Sequence, residues 1–180
     1  MSGIISDNVG RASGLVKAAG GGGKVLQVVT THMTAQYSSS SATFAHIGTP
    51  VFTITPSATS SKIFLMCNLC GGTGNWMMLK FMRDIGGGGY EDIGLPDTAT
   101  GNQSNAHFQG LGMWGNRSNA LSVSWNYIDS PSTTSAVNYQ LWGLSHNPDT
   151  IYINRSTLNE DYAQIGGTTS SVTLMEIDGS

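Results

Sequence analysis

Between residues 121 and 128 the chain alternates apolar and polar side chains, with Leu121, Val123, Trp125 and Tyr127 set against Ser122, Ser124 and Asn126. A period of two is satisfied only by an extended strand with one face buried and the other wet. Val137, Tyr139 and Leu141 alternate with Asn138 and Gln140 in the same way, and such strands belong to antiparallel sheets. The pattern begins at Val25, where Val25, Gln27, Val29, Thr31 and Met33 share one face and Leu26, Val28, Thr30 and His32 the other. Runs rich in β-branched and aromatic residues recur at 51–55, 62–70, 76–83, 107–114, 121–128, 137–144, 150–154 and 172–177, which predicts eight or nine strands. Turn signals separate them: Thr49-Pro50, Pro56-Ser57, Gly71-Gly72, Asp129-Ser130-Pro131, Asn147-Pro148-Asp149 and Gly166-Gly167. No ten-residue amphipathic helix interrupts the series, so the expected fold is all-β, a single jelly-roll-like antiparallel β-sandwich over residues 25–180.

A chain of 180 residues has room for one buried core. Its 39% hydrophobic content can fill that core, while 11% charged residues is under half of the usual ~25%. Eight basic residues scattered singly within a net charge of -3 form no phosphate-binding surface, which argues against nucleic acid as a partner. No run of eighteen apolar residues predicts a membrane span, and Ser, Gly, Asp and Asn break up the first twenty residues before a signal-peptide core can form. Cys67 and Cys70 stand three apart within one predicted strand and so face opposite ways, which predicts two reduced thiols and no disulfide, zinc or redox pair.

Candidate chemistry is thin. His32, His46, His107 and His146 lack a partner motif, and neither a Gly-x-Ser-x-Gly elbow nor a His-x-x-x-His spacing occurs. Glu91-Asp92 and Glu160-Asp161 are adjacent carboxylates, which point apart in a strand and are expected to be solvated loop acids. Gly20 to Gly23 leads into a strand and not a helix, so it reads as a hinge; Gly86 to Gly89 reads as a hairpin tip. The sequons at Asn102, Asn116 and Asn154 are taken as polar loop positions. Trp76, Trp114, Trp125 and Trp142, with Tyr90, Tyr127, Tyr139 and Tyr152, could stack on sugar rings, though most alternate with polar residues as core positions do. The expectation is no catalytic residue, no cofactor and no metal.

An ordered set of short motifs runs through the chain. It comprises Thr55-Pro56-Ser57 leading to Ser61-Lys62-Ile63, then Arg83-Asp84, Asp129-Ser130-Pro131, Val137-Asn138-Tyr139-Gln140-Leu141, Tyr152-Ile153-Asn154-Arg155, and Ser171-Val172-Thr173-Leu174-Met175-Glu176-Ile177. In order and spacing the set resembles small jelly-roll virion structural proteins of tailed phages of aquatic bacteria, cyanophages included, described as capsid cement or decoration proteins or as tail-fibre-like. The N-terminal stretch from Ser2 to Lys17 is similar to the tag such proteins carry. The resemblance implies a non-enzymatic virion component, a homotrimer, and carries over no catalytic residue.

Residues 1–24 are expected to form an extended attachment arm with a Gly-rich hinge. Ile4, Ile5, Val9, Leu15 and Val16 are spaced by Gly and Ser, a composition that cannot fold alone but can lay apolar side chains into a partner's grooves. Neither a heptad run nor an internal repeat supplies the length of a fibre. The functional expectation is therefore a trimeric cement protein on the virion exterior, assembled in the host cytoplasm. It would bind the major capsid protein or another virion protein through the arm. The alternative is a short tail fibre or a receptor-recognition protein that binds a host surface glycan.

Overall fold

The computed structural model describes residues 23–97, 101, 103–110, 118–145, 149–158, 160, 161, 163 and 165–179. Twelve strand segments follow one another: β1 (Val25–Met33), β2 (Tyr37–Ser39), β3 (Ala45–His46), β4 (Phe52–Ile54), β5 (Lys62–Gly72), β6 (Met77–Ile85), β7 (Glu91–Asp92), β8 (Phe108–Gly110), β9 (Leu121–Asp129), β10 (Val137–Ser145), β11 (Ile151–Ile153) and β12 (Ser170–Ile177). No helix occurs among the described residues. The segments form two antiparallel sheets, the first from β1, β2, β5, β9, β11 and β12 and the second from β3, β4, β6, β7, β8 and β10.

Several segments lie end to end in one column. Gly71 pairs with Leu121 of β9 on one edge of β5 and with Ile153 of β11 on the other, so β11 continues the column of β12. The first sheet is thus four columns wide, β1/β2, β11/β12, β5 and β9; the second is β3/β4, β10, β6 and β7/β8. Numbered along the chain, the first column pairs with the eighth, the second with the seventh, the third with the sixth and the fourth with the fifth. Twelve segments in eight columns reconcile the count read from the sequence, and the result is an all-β sandwich of two antiparallel sheets.

The inward phase of each strand builds the core. Ile63, Leu65, Cys67 and Leu69 of β5 meet Met77, Leu79 and Phe81 of β6 and Val137, Tyr139 and Leu141 of β10, all buried. Phe81 stands edge-on to Phe52 at 6.5 Å and lies 6.0 Å from the Trp125 ring of the opposite sheet, a spacing at which aromatic pairs add to simple burial. Two glycine sites are required by geometry. A Cβ at Gly71 would lie 2.1 Å from the Tyr152 carbonyl, so only glycine lets β5 pass between two neighbours there. At the β6–β7 tip, Gly86, Gly87 and Gly89 have φ of 68°, 82° and 106°, the region glycine adopts freely.

Some bounds differ from the sequence reading. The run expected at 76–83 forms Met77–Ile85, and of the run at 107–114 the described strand is Phe108–Gly110. The two- and three-residue segments β2, β3 and β7 were not expected, because such short pieces carry no periodicity and become strands only by bonding to a longer neighbour's edge. Glu91 and Asp92, expected to be solvated loop acids, form β7, and each ion-pairs across it, Glu91 with Arg83 and Asp92 with Lys80. Replacing Phe81 by Ala should lower the unfolding free energy by about 3–5 kcal/mol in urea denaturation, the range for a fully buried aromatic ring.

Candidate functional site

Charged residues enter this core where the apolar phase of three strands runs out. In β12 the inward series is Val172, Leu174, Glu176; in β9 it is Val123, Trp125, Tyr127, Asp129; in β6 it is Met77, Leu79, Phe81, Arg83. Glu176 and Asp129 flank Ile63 on a single rung of the first sheet, so both carboxylates close the same end of the sandwich.

Glu176 is 1% exposed, and its Oε1 accepts the Ser57 amide, the Ser57 hydroxyl and the Ser61 hydroxyl, each at 2.6 Å. Its Oε2 accepts the Gln27 side-chain amide at 2.7 Å. Burial alone pushes such a carboxyl up. The two serine hydroxyls, the Ser57 amide and Gln27 outweigh it and hold the pKa down to about 2. The group is a pin that fastens the 55–61 turn to β12 and β1.

Asp129 joins the two sheets. Its carboxylate accepts two bonds from Arg83 Nη1 at 2.8 and 3.0 Å, the Tyr139 hydroxyl at 2.7 Å and the Ser130 amide at 2.9 Å. Burial, and then the adjacent carboxylate, push the Tyr139 phenol well above its ordinary pKa, so it stays a donor. Arg83 also donates to Glu91 through Nε and Nη2 at 3.1 and 2.5 Å.

The opposite end of β5 is closed by Asn154, which is 1% exposed and adopts φ 64°, a left-handed conformation asparagine tolerates. Its Nδ2 donates to the carbonyls of Met33 and Ala35 at 2.7 Å, its Oδ1 accepts Ser170 Oγ at 2.6 Å, and its amide donates to the Cys70 carbonyl at 2.7 Å. Asn154 is in the loop after β11, as expected, but it is buried: with every polar atom of its side chain bonded inside, it offers no nitrogen to a glycan. Asn102 and Asn116 lie outside the described residues.

The other candidates do not converge. His32 is exposed on the outer face of β1, His46 Nε2 bonds the Thr49 carbonyl at 2.9 Å, and His146 lies outside the described residues. His107 Nδ1 accepts the Phe81 amide at 3.1 Å, and burial lowers its pKa. Glu160 and Asp161 are exposed. No three His, Cys, Asp or Glu residues are placed to hold a metal among those described. Cys67 is buried in the core, where burial raises its thiol pKa, and Cys70 is half-buried on the other face of β5; both are free.

The aromatics divide as well. Trp125, Tyr127 and Tyr139 face inward, whereas Trp142 and Tyr152 lie on the outer faces of different sheets, Trp142 bonded to Gln140 and Tyr152 under Arg155 at 4.1 Å. Trp76 and Tyr90 are half-buried in connections, and Trp114 lies outside the described residues. An open depression of about 290 Å³ is lined by Ser118, Asn119, Ala120, Leu121, Gly166 and Thr168, and none of these carries an acid or base for catalysis. The arm residues Ile4, Ile5, Val9, Leu15 and Val16 fall outside the described residues.

The polar groups the sequence reading passed over are Glu176, Arg83 and Asp129. A signal existed: each continues the apolar phase of its strand, which in a sandwich means burial with partners. Compared with known proteins, the chain matches no family model and no curated protein.

Because the folded pKa of Glu176 lies below its unfolded value, its contribution is complete above about pH 4.5 and is lost as pH falls toward 2. Between those limits the wild type should lose on the order of 2–3 kcal/mol that a Glu176→Gln variant, already weaker at neutral pH, does not lose, as read by denaturation at a series of pH values. Arg83→Met leaves Asp129 buried without a counter-ion and should cost about 3 kcal/mol; adding Asp129→Asn should restore part of it in a double-mutant cycle.

Proposed function

We propose that the chain is a non-enzymatic structural protein of a tailed-phage virion. In this reading it is a trimeric cement or decoration protein on the exterior of the shell, anchored to the major capsid protein or another virion protein by residues 1–24. The observation that carries the reading is what the resemblance motifs do. Ser57 and Ser61 bond Glu176, Arg83 and Tyr139 bond Asp129, Asp84 accepts the Gly89 amide at 2.9 Å, and Asn154 binds the ends of β1, β5 and β12. The pattern that likens the chain to virion proteins is thus a pattern for holding a sandwich shut, which is what a particle component needs. Its ion pairs serve the same purpose, so little polar chemistry is left over for turnover.

The nested pairing of columns supports a finer description of the fold. First with eighth through fourth with fifth is the winding of a jelly roll, an architecture used by viral capsid and lectin domains. A glycan platform has weaker support, because Trp142 and Tyr152 do not share a face.

Electron microscopy of particles carrying the protein tests the reading. Density at local threefold positions of the shell is expected; density confined to the tail or baseplate replaces cement with fibre, and absence from particles overturns both. Deleting residues 1–20 should leave a folded trimer that no longer enters particles, and normal incorporation would reject the arm.

A further inference from the structure

The two outer faces of the sandwich differ. On the second sheet Lys80 is buried beneath Phe44, 4.2 Å from its ring centre, and paired with Asp92, while Asp84 stands four residues along the same strand and on the same face. On the first sheet the outward positions of β1, β5, β9 and β12 include one formal charge, Lys62, at the start of β5.

Across those four strands the register lines up one apolar row. Val28 pairs with Met175, Met175 with Phe64, and Phe64 with Ile128, so the row crosses all four columns. Val28 is 54% and Ile128 49% exposed. Isolated apolar residues on a surface need no explanation, but a row in register across a whole sheet is a contiguous patch. Two polar pairs beside it are bonded within themselves: Thr30 and Thr173 share a hydrogen bond at 3.0 Å on the next rung, and Ser124 donates to Asn68 on the one after. Covering the face leaves those four side chains with the partners they have.

We propose that this outer face is where a second copy of the chain docks. Charge favours a copy over a charged partner: the net charge of -3 lies off the face, and Lys62 sits at its rim. Shape favours it too, since a straight row laid on its own duplicate buries apolar against apolar along its length. Four columns at ~4.8 Å and four outward residues at ~6.7 Å give a face of about 500 Å². Two copies then bury about 1,000 Å², the lower bound for a specific interface. The contact is a two-fold one between copies, separate from the threefold association of the reading above; it rests on the surface alone, and its failure would leave the virion role standing.

The test uses the full-length chain over a concentration series, with mass from light scattering. The wild type should run at a multiple of the chain mass. A Val28→Lys, Ile128→Lys double variant should lose the oligomer while keeping the wild-type circular dichroism and melting temperature. If that variant fails to fold, the unmodified chain still decides. Peroxide oxidation of Met175 and Met66, followed by mass spectrometry, should slow as concentration rises, with Met78 on the other sheet unchanged. A wild type that is monomeric throughout overturns the proposal, as does an oligomer that survives the double variant. So does Met175 protection that is independent of concentration, which would mean that residues 1–22 cover the row.

Discussion

Asp129 is where the two sheets are held to each other by directed bonds. It ends β9 in the first sheet but receives Arg83 from β6 and Tyr139 from β10 in the second. Apolar packing across a sandwich is non-directional and roughly proportional to area, so it tolerates small slides of one sheet over the other. A carboxylate whose two oxygens must both meet Arg83 Nη1 while one of them also meets a phenol does not. With Glu176 on the same rung, one end of the sandwich is a row of satisfied polar groups around Ile63, and Asn154 does the equivalent at the Gly71 end.

This arrangement accounts for the composition. A chain with 11% charged residues has few ions to place, and the two most buried, Glu176 and Asp129, close one end of the core. Ion pairs withdrawn from water are screened little by salt, in contrast to exposed pairs beyond a Debye length. The stability of such a domain should follow acidity more than ionic strength, because protonating Glu176 leaves the donors of Ser57, Ser61 and Gln27 without their acceptor. A particle component that meets changing salt would gain from that balance.

The faces of the sandwich carry the remaining information about partners. One is tied up by Lys80, Asp92 and Phe44, and the other presents the row of Val28, Met175, Phe64 and Ile128, whose end members Val28 and Ile128 are exposed among the described residues. Sheets that turn apolar residues outward in register are built to be covered.

Strand after strand was legible in the sequence, because the side-chain period of an extended chain is a local property. Leu121 to Tyr127 and Val137 to Leu141 declare both their conformation and their buried face. So does the opposite facing of Cys67 and Cys70. The absence of a helical layer followed from the same patterns. The partnerships were not legible: Glu176 lies 115 residues or more from its two serines, and Arg83 46 residues from Asp129. Nothing local distinguishes these ions from solvated ones except their phase. Likewise Asn154 looks like a turn residue until β1, β5 and β12 surround it. Local sterics and periodicity determined the strands from the sequence by itself. Only the tertiary structure decided which strands became neighbours, and with that which polar groups were buried, since a hydrogen bond between distant residues exists only after the chain has brought them together.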